Sequence, residues 1–234
     1  MSNRQKIGLR KAPSATRKRG RERRKLLLKA AYELLCARPV EDVSFRDIAD
    51  QADVPEGSAY HFFANRFDLF STLAKELSEQ FIKAHQRKVP PSRRKTWQAL
   101  AEHLVDVGAG VYAENPPARQ LLIGGKTPPE VKQADRLNDR AVGNVMHEVF
   151  AEHFVLPDTD EMRNAFYYFI EITDLIFTLS VIEHGEITPE MLAEAKRAGT
   201  GYLSTYLSAQ ARTGTTRSST RQHRSPNTDR AAGR

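Results

Sequence analysis

Strong helix stops recur along this chain: Pro39, Pro90-Pro91, Asn115-Pro116-Pro117, Gly124-Gly125 and Gly185. Between them, apolar side chains return at three- and four-residue spacing. Leu27, Ala30, Ala31, Leu34 and Leu35 set the pattern, and Trp97, Leu100, Leu104, Val107 and Val111 repeat it. No pair of alternating apolar–polar runs competes with this rhythm. An all-α fold of about nine helices is predicted, with the first three short and clustered within residues 21–64.

Start signals place the elements. Ser44 with Asp47 forms a capping box for a short helix to about Gln51, and Pro55 opens the next, ending near Phe63. Asn65 with Asp68 caps a longer helix to about Lys88. The helix marked by Trp97 closes at Asn115, and a short one follows to Gly124. Thr127-Pro128-Pro129-Glu130 reads as a capped start, with Thr127 as the cap, for a helix reaching Val155 with Gly143 as a weak point. Asp158/Asp160 to His184 is the next helix, and Thr188-Pro189 opens the last, through about Leu207.

Charge divides the chain differently. Residues 1–30 hold twelve Lys/Arg against one acid, and residues 211–234 hold six Arg against one. The stretch 31–210 holds 18 Lys/Arg against 27 acids, so the net charge of +7 resides in two basic ends attached to an acidic body. Both ends are poor in large apolar residues and are expected to be disordered, as an arm (1–20) and a tail (211–234). The arm runs into the motif below, which points to a polyanion partner with steep salt dependence; the tail is equally readable as a solubilising extension. One cysteine excludes a disulfide scaffold and any CxxC site. The most apolar run, Phe166–Ile182, is interrupted by Glu171 and Asp174, and no apolar segment follows the basic N-terminal residues. A cytoplasmic protein with no membrane partner is expected.

Residues 44–63 read S-F-R-D-I-A-D-Q-A-D-V-P-E-G-S-A-Y-H-F-F. Two short helices joined by Ala52-Asp53-Val54 have helix-turn-helix spacing. Ala49 is small where the helices approach, Ile48 and Val54 are apolar where the pair needs helix one, and Asp53 occupies a turn position where positive φ is often required. These residues resemble the DNA-binding domain of TetR-family transcriptional regulators over roughly residues 21–75. The matching positions are Ser44, Ile48-Ala49, Ala52, Val54, Gly57, Tyr60 and Phe63, with Arg66 in place of the family's Lys. Asp53, Pro55 and Phe62 depart from the pattern, standing where the family has Gly, a capping Ser and His. Pro55 forfeits a cap of about 1 kcal/mol.

The resemblance implies double-stranded DNA as partner, with the second short helix presented to one half of a palindromic operator. Phosphate contact falls to the basic run Arg17, Lys18, Arg19, Arg21, Arg23, Arg24 and Lys25, because residues 21–70 taken alone are not basic. Ser44 and Pro55 lie at the openings of the two short helices. Arg46 has the reach for a guanine edge, or is an exposed surface Arg. Glu56 can accept from a cytosine amine, or be a first-turn acid favoured by the helix dipole. Gly57 lets backbone approach the duplex; Ser58, Tyr60 and His61 suit phosphate and sugar; Arg66 would set a charge against the DNA backbone. Phe45, Phe62, Phe63 and Phe67 read as core.

Residues 76–210 resemble the family only in helical layout, which implies a ligand-binding and dimerisation domain with a homodimer through the last two long helices. The helix over 160–184 is apolar nearly all round, with Glu171, Asp174 and Thr178, extended by Tyr167, as one polar stripe: a solvent face or the wall of an interior pocket. Ala198, Gly199 and Gly201 suggest close approach of the last helix. Candidate liners for an effector pocket are Trp97, His103, Tyr112, Phe150, Tyr167, Tyr168 and Glu171, each read more simply as a core or border residue; Glu171 would suit a cationic or hydroxylated effector. No cofactor is expected. Cys36 reads as a buried thiol, no G-x-S-x-G motif, nucleotide-binding loop or Glu-x-x-His pair occurs, and in the cluster His147, Glu148, Glu152 and His153 the two histidines do not share a helical face as ligands should. A non-enzymatic regulator, most simply a repressor released by an unidentified small molecule, is the expectation. An architectural or partner-regulated DNA-binding protein of the same fold is the alternative.

Overall fold

A computed structural model describes residues 13–207, with side chains from Lys18 onward. Residues 1–12 and 208–234, which include most of the expected arm and the whole tail, lie outside the described residues. Within them the chain forms α1 (Pro13–Ala37), α2 (Phe45–Gln51), α3 (Glu56–Ala59), α4 (Arg66–His85), α5 (Trp97–Glu114), α6 (Pro116–Leu122), α7 (Pro129–Ala151), α8 (Asp160–His184) and α9 (Pro189–Leu203). Short 3-10 turns lie at Val40–Asp42 and Pro91–Arg94.

The starts follow local chemistry. Ser44 Oγ accepts from the Asp47 amide at 3.1 Å while the Asp47 carboxylate accepts from the Ser44 amide at 2.9 Å; the Ser44 hydroxyl, donating to that carboxylate at 2.7 Å, and then the amide hold the Asp47 carboxyl below its usual range. Asn65 Oδ1 accepts from the amides of Phe67 and Asp68. Thr96, Asn115, Thr159 and Thr188 cap α5, α6, α8 and α9 in the same way. Gly185, with φ of 78°, ends α8 in the left-handed conformation that suits a residue without Cβ.

Several boundaries differ from expectation. α1 begins at Pro13, so residues 13–20, expected to be part of a disordered arm, extend the helix. Once the packed part from Leu27 provides the nucleus, each Arg, Lys or Ala before it adds one hydrogen bond per residue fixed. Thr127 does not cap α7; Pro128 occupies the cap position, and Thr127 Oγ1 donates to the carbonyls of Gln120 and Gly124. α7 ends at Ala151, short of Val155, and α9 at Leu203, followed by turns to Leu207. Cys36 is exposed, not buried: its neighbour Leu35 faces the core, and one residue on is 100° round the helix.

One buried apolar cluster runs from Leu27 to Leu207. α4 connects its two ends, touching α1 near the N-terminus of the chain and lying along α7, while α8 packs between α7 and α9. Gly143 is a point of close approach and not a weakness: a Cβ there would lie 3.0 Å from the Tyr167 backbone nitrogen. Gly199 likewise abuts Phe169, at 2.6 Å, whereas a Cβ at Gly201 would meet nothing within 4 Å.

Candidate nucleic-acid interface and interior cavity

α2 and α3 meet at a turn whose second residue, Asp53, has φ of 51°. The positive φ predicted for that position is present, and Asp supplies it at more steric cost than Gly. Behind the turn, Ile48, Ala49, Val54 and Ala59 are buried, and the Val54 amide donates to Ala49 O at 3.0 Å, fixing the angle between the helices. Pro55 stands at the cap of α3, not inside its first turn; its carbonyl accepts from the amides of Ser58 and Ala59. α3 closes at Ala59, and turns carry the chain to Phe63.

The outward side of this unit is open. Glu56, Gly57, Tyr60 and His61 are exposed, Ser58 is half-buried, and a Cβ on Gly57 would meet nothing within 4 Å. The Tyr60 ring leans on Phe45 with centroids 4.7 Å apart, which orients its hydroxyl. Arg46 is exposed and faces Asp50 at 3.7 Å. Lys18, Arg19, Arg21, Arg23 and Lys25 are exposed on α1; the side chain of Arg17 lies outside the described residues.

Two expected phosphate contacts have other partners. Arg24 lies over the Phe63 ring, 4.9 Å from its centroid, and donates to Thr72 Oγ1. Arg66 donates to the carbonyls of Val43 and Glu41 at 3.1 and 3.4 Å and covers Phe67. Both fasten α4 to the N-terminal helices. Ser44 is engaged in its capping box. Of the four phenylalanines, Phe45 and Phe63 are buried and Phe62 and Phe67 half-buried.

A narrow cavity of about 30 Å³ lies among α4, α5, α7 and α8. Its walls are mostly apolar, with Phe81, Tyr112, Phe169, Phe177 and Met146 prominent, and they include the carboxyls of Asp139 and Asp174. Tyr112 donates its hydroxyl to Asp174 at 3.1 Å; burial and the neighbouring acids push the Tyr112 pKa far up. Asp139 is 8% exposed and makes no hydrogen bond or ion pair with the described residues. Burial, then the charges of Asp135, Asp174 and Glu171, push its pKa up to about 9. Burial also raises Asp135 and Asp174, with Lys132 opposing. Lys132 lies 3.5 Å from Asp135 and donates to the Leu122 carbonyl; Arg136 lies 3.5 Å from Glu171. His85, at the cavity edge, places its two ring nitrogens 2.7 and 3.1 Å from the carbonyls of Phe81 and Leu104, and burial lowers its pKa.

Residues 27–73 match the family model for bacterial regulatory proteins of the tetR family, and residues 95–207 match a Tetracyclin repressor-like C-terminal domain. This chain belongs to the TetR family. It is a TetR-family transcriptional regulator with a DNA-binding helix-turn-helix. Its fold is similar to that of a TetR-family transcriptional regulator from Streptomyces coelicolor, with a TM-score of 0.62 and 19% identity over 79% of this chain and 99% of that one. A TetR transcriptional regulator from Rhodococcus sp. RHA1 gives 0.62 and 16% over 80% and 97%. The multidrug binding protein EbrR, complexed with imidazole, gives 0.54 and 21% over 77% and 94%. The search of curated proteins finds no match.

In this TetR-family chain, only Tyr112 of the seven expected pocket residues lines the interior cavity. Trp97 and Phe150 are core, the latter between Phe154 and Phe166. His103 lines an outer groove between α4 and α5. Tyr167 lies under Arg140, while Tyr168 and Glu171 line a second outer groove, of α7, α8 and α9. The stripe on α8 is inverted relative to a solvent face. Glu171, Asp174 and Thr178 are half-buried, whereas Tyr168, Leu175, Leu179 and Ile182 are exposed. α8 is thereby the one described helix long and apolar enough to cross a membrane by length and composition, though it packs between α7 and α9. Two buried acids of α7 carry a register signal in the sequence. Asp135 and Asp139 lie on the stripe Val131, Val142, Met146, where an apolar residue is the rule.

Proposed function

We propose that this regulator binds a palindromic operator as a homodimer and represses until a small molecule enters the interior cavity. The open face of α3 carries the reading: Glu56, Gly57, Tyr60 and His61 are all exposed on a unit whose other face is buried. In the bound state α3 lies in the major groove, with Glu56 at base edges, Gly57 against backbone, and Ser58, Tyr60 and His61 at phosphate and sugar. Arg46 reaches from α2. Arg17, Arg19 and Arg21, on the first turns of α1, contact phosphate beside the groove. Arg24 and Arg66 hold the unit in shape. The working division is a DNA-binding unit to about residue 75 and a ligand-binding and dimerisation unit from 76.

Dimerisation falls to α8 and α9. Tyr168, Leu175, Leu179 and Ile182 form an exposed apolar strip on α8 that nothing among the described residues covers, and Tyr202 of α9 and Tyr206 just beyond it flank the strip. The cavity communicates with the DNA unit through α6. Leu122 is in the cavity wall, and Gln120 on the same helix donates to the carbonyls of Leu35 and Arg38 at the end of α1. A ligand that binds one arrangement of α6 better than the other shifts the spacing of the two reading helices.

The test is selection of genomic fragments by the full-length protein, beside an Arg46→Ala, Tyr60→Phe control. A sharp palindrome lost in the control is expected. Diffuse enrichment unchanged in the control overturns operator recognition and favours an architectural role.

A further inference from the structure

We infer that the interior cavity is a receptor for an apolar organic cation, whose charged nitrogen sits against Asp139 with aromatic walls around its apolar part. The inference rests on the effector reading of this cavity and names the chemistry it selects.

Two independent observations carry it. Asp139 is a buried carboxyl with no hydrogen-bond or ion-pair partner among the described residues, in the wall of a narrow cavity of about 30 Å³ that widens to take a ligand. Buried acids are ordinarily paired, so an unpaired one at a cavity is a place for an incoming positive group. The rest of the wall then restricts what can carry that charge. Phe81 and Tyr112 have centroids 4.7 Å apart, and Phe177 stands edge-on to Tyr112 at 6.1 Å. Aromatic faces attract ammonium and related cations electrostatically. A hard metal ion would need six or more oxygen ligands, which Phe, Met, Leu and Ile walls do not supply.

The nearby basic groups are already engaged. Lys132 faces Asp135 and a backbone carbonyl, and Arg136 faces Glu171. Among the described residues Asp174 takes the Tyr112 hydroxyl and no other hydrogen bond. An anionic ligand would meet Asp139 and Asp174 in the wall, with no Lys or Arg among the described lining residues to offset them.

Proton release is the signature of such a site. The groups facing Asp139 are Lys132 and Asp135 on α7, Glu171 and Asp174 on α8, Tyr112 on α5 and His85 on α4. In the free protein this surrounding keeps Asp139 protonated at neutral pH. A bound cation favours the carboxylate, so binding expels a proton and tightens as pH rises.

The experiment titrates the full-length protein by calorimetry with benzyltrimethylammonium, whose charge is independent of pH, and with 2-phenylethanol and phenylacetate as neutral and anionic counterparts. Saturable binding of the cation is expected, at least about tenfold tighter than either counterpart, with affinity rising up to about tenfold per pH unit between pH 7 and 9. Asp139→Asn should remove the pH slope and most of the preference for the cation; Asp174→Asn, a second variant, should weaken it. Equal or tighter binding of the alcohol or the acid overturns the inference. So do an unchanged pH slope in folded Asp139→Asn and the absence of saturable binding by any of the three. Release of selected operator fragments is read separately. Cation binding without release leaves the site standing and removes the effector reading; release by 2-phenylethanol alone keeps the effector reading and overturns the cation site.

Discussion

The side-chain nitrogen of Gln120 lies 2.6 Å from the carbonyl oxygen of Leu35, joining α6 to the last turn of α1. It also donates to Arg38 O at 3.1 Å. Carbonyls at a helix C-terminus have no partner within the helix, so α6 caps α1 from outside. A second tie lies alongside, an ion pair between Lys126 and Glu41. Gln120→Leu keeps the size and removes the donor from two part-buried acceptors. A loss of about 1–3 kcal/mol is expected, read as a lower urea midpoint at unchanged m. An unshifted midpoint would show that water replaces the amide at no cost.

Gly57 separates fold from function. A Cβ there meets nothing within 4 Å, and the residue is inside a helical turn. Gly57→Ala should therefore stabilise the free protein, by up to about 1 kcal/mol, while weakening operator binding at least about tenfold because the methyl group meets the duplex. Opposite signs in thermal melting and in fragment binding are the expected result. Undiminished DNA binding would remove α3 from the groove.

Asp53 is held at φ of 51°. Asp53→Gly relieves the contact between Cβ and the following carbonyl and should raise stability by up to about 1 kcal/mol; Asp53→Val should lower it by more, since a β-branched residue is ill suited to that region. Denaturant melts of the two variants should bracket the parent. A Val variant as stable as the parent would mean that the turn relaxes to another conformation.

Local caps and turns were legible in the sequence. The caps at Ser44 and Asn65 and the turn at Asp53 depend on neighbours within four residues, so the residue types report the geometry directly. Cavity walls do not. Tyr112, Asp139 and Asp174 come from three helices, and which faces of α5, α7 and α8 meet is decided by packing at places such as Gly143 against Tyr167. The acids at 135 and 139 share a register with Val131, Val142 and Met146 that puts them inside. Arg24 and Arg66 looked free for phosphate because their partners, Phe63 and the Val43 carbonyl, are adjacent only after folding.

Buried acids leave a mark on stability. Because folding raises the pKa of Asp139 to about 9, the folded state holds a proton that the unfolded state has released above about pH 4. Stability of the ligand-free protein should therefore fall as pH rises through that window, with Asp135 and Asp174 contributing in the same direction. Melting temperatures across pH 5 to 9 measure it, and Asp139→Asn should flatten the slope. A parent that grows more stable toward pH 9 contradicts the assignment.

The exposed strip on α8 makes the last prediction quantitative in a different way. Leu175 is 60% and Ile182 59% exposed, one side of a helix whose other faces are packed. Full burial of a Leu or Ile contributes about 1.5–3 kcal/mol, so Leu175→Lys with Ile182→Lys removes that from each side of a two-fold interface and adds charges that face their symmetry mates. Because both positions are open to solvent in the single chain, the variant should keep its helix content and much of its melting temperature. Sedimentation should show the parent as a dimer and the variant as a monomer. Loss of the second half-site contact should then cost operator affinity steeply, even though no residue of α3 has changed. A variant that remains dimeric would move the interface off this face of α8, and with it the assignment of Tyr202 and Tyr206 to its edge.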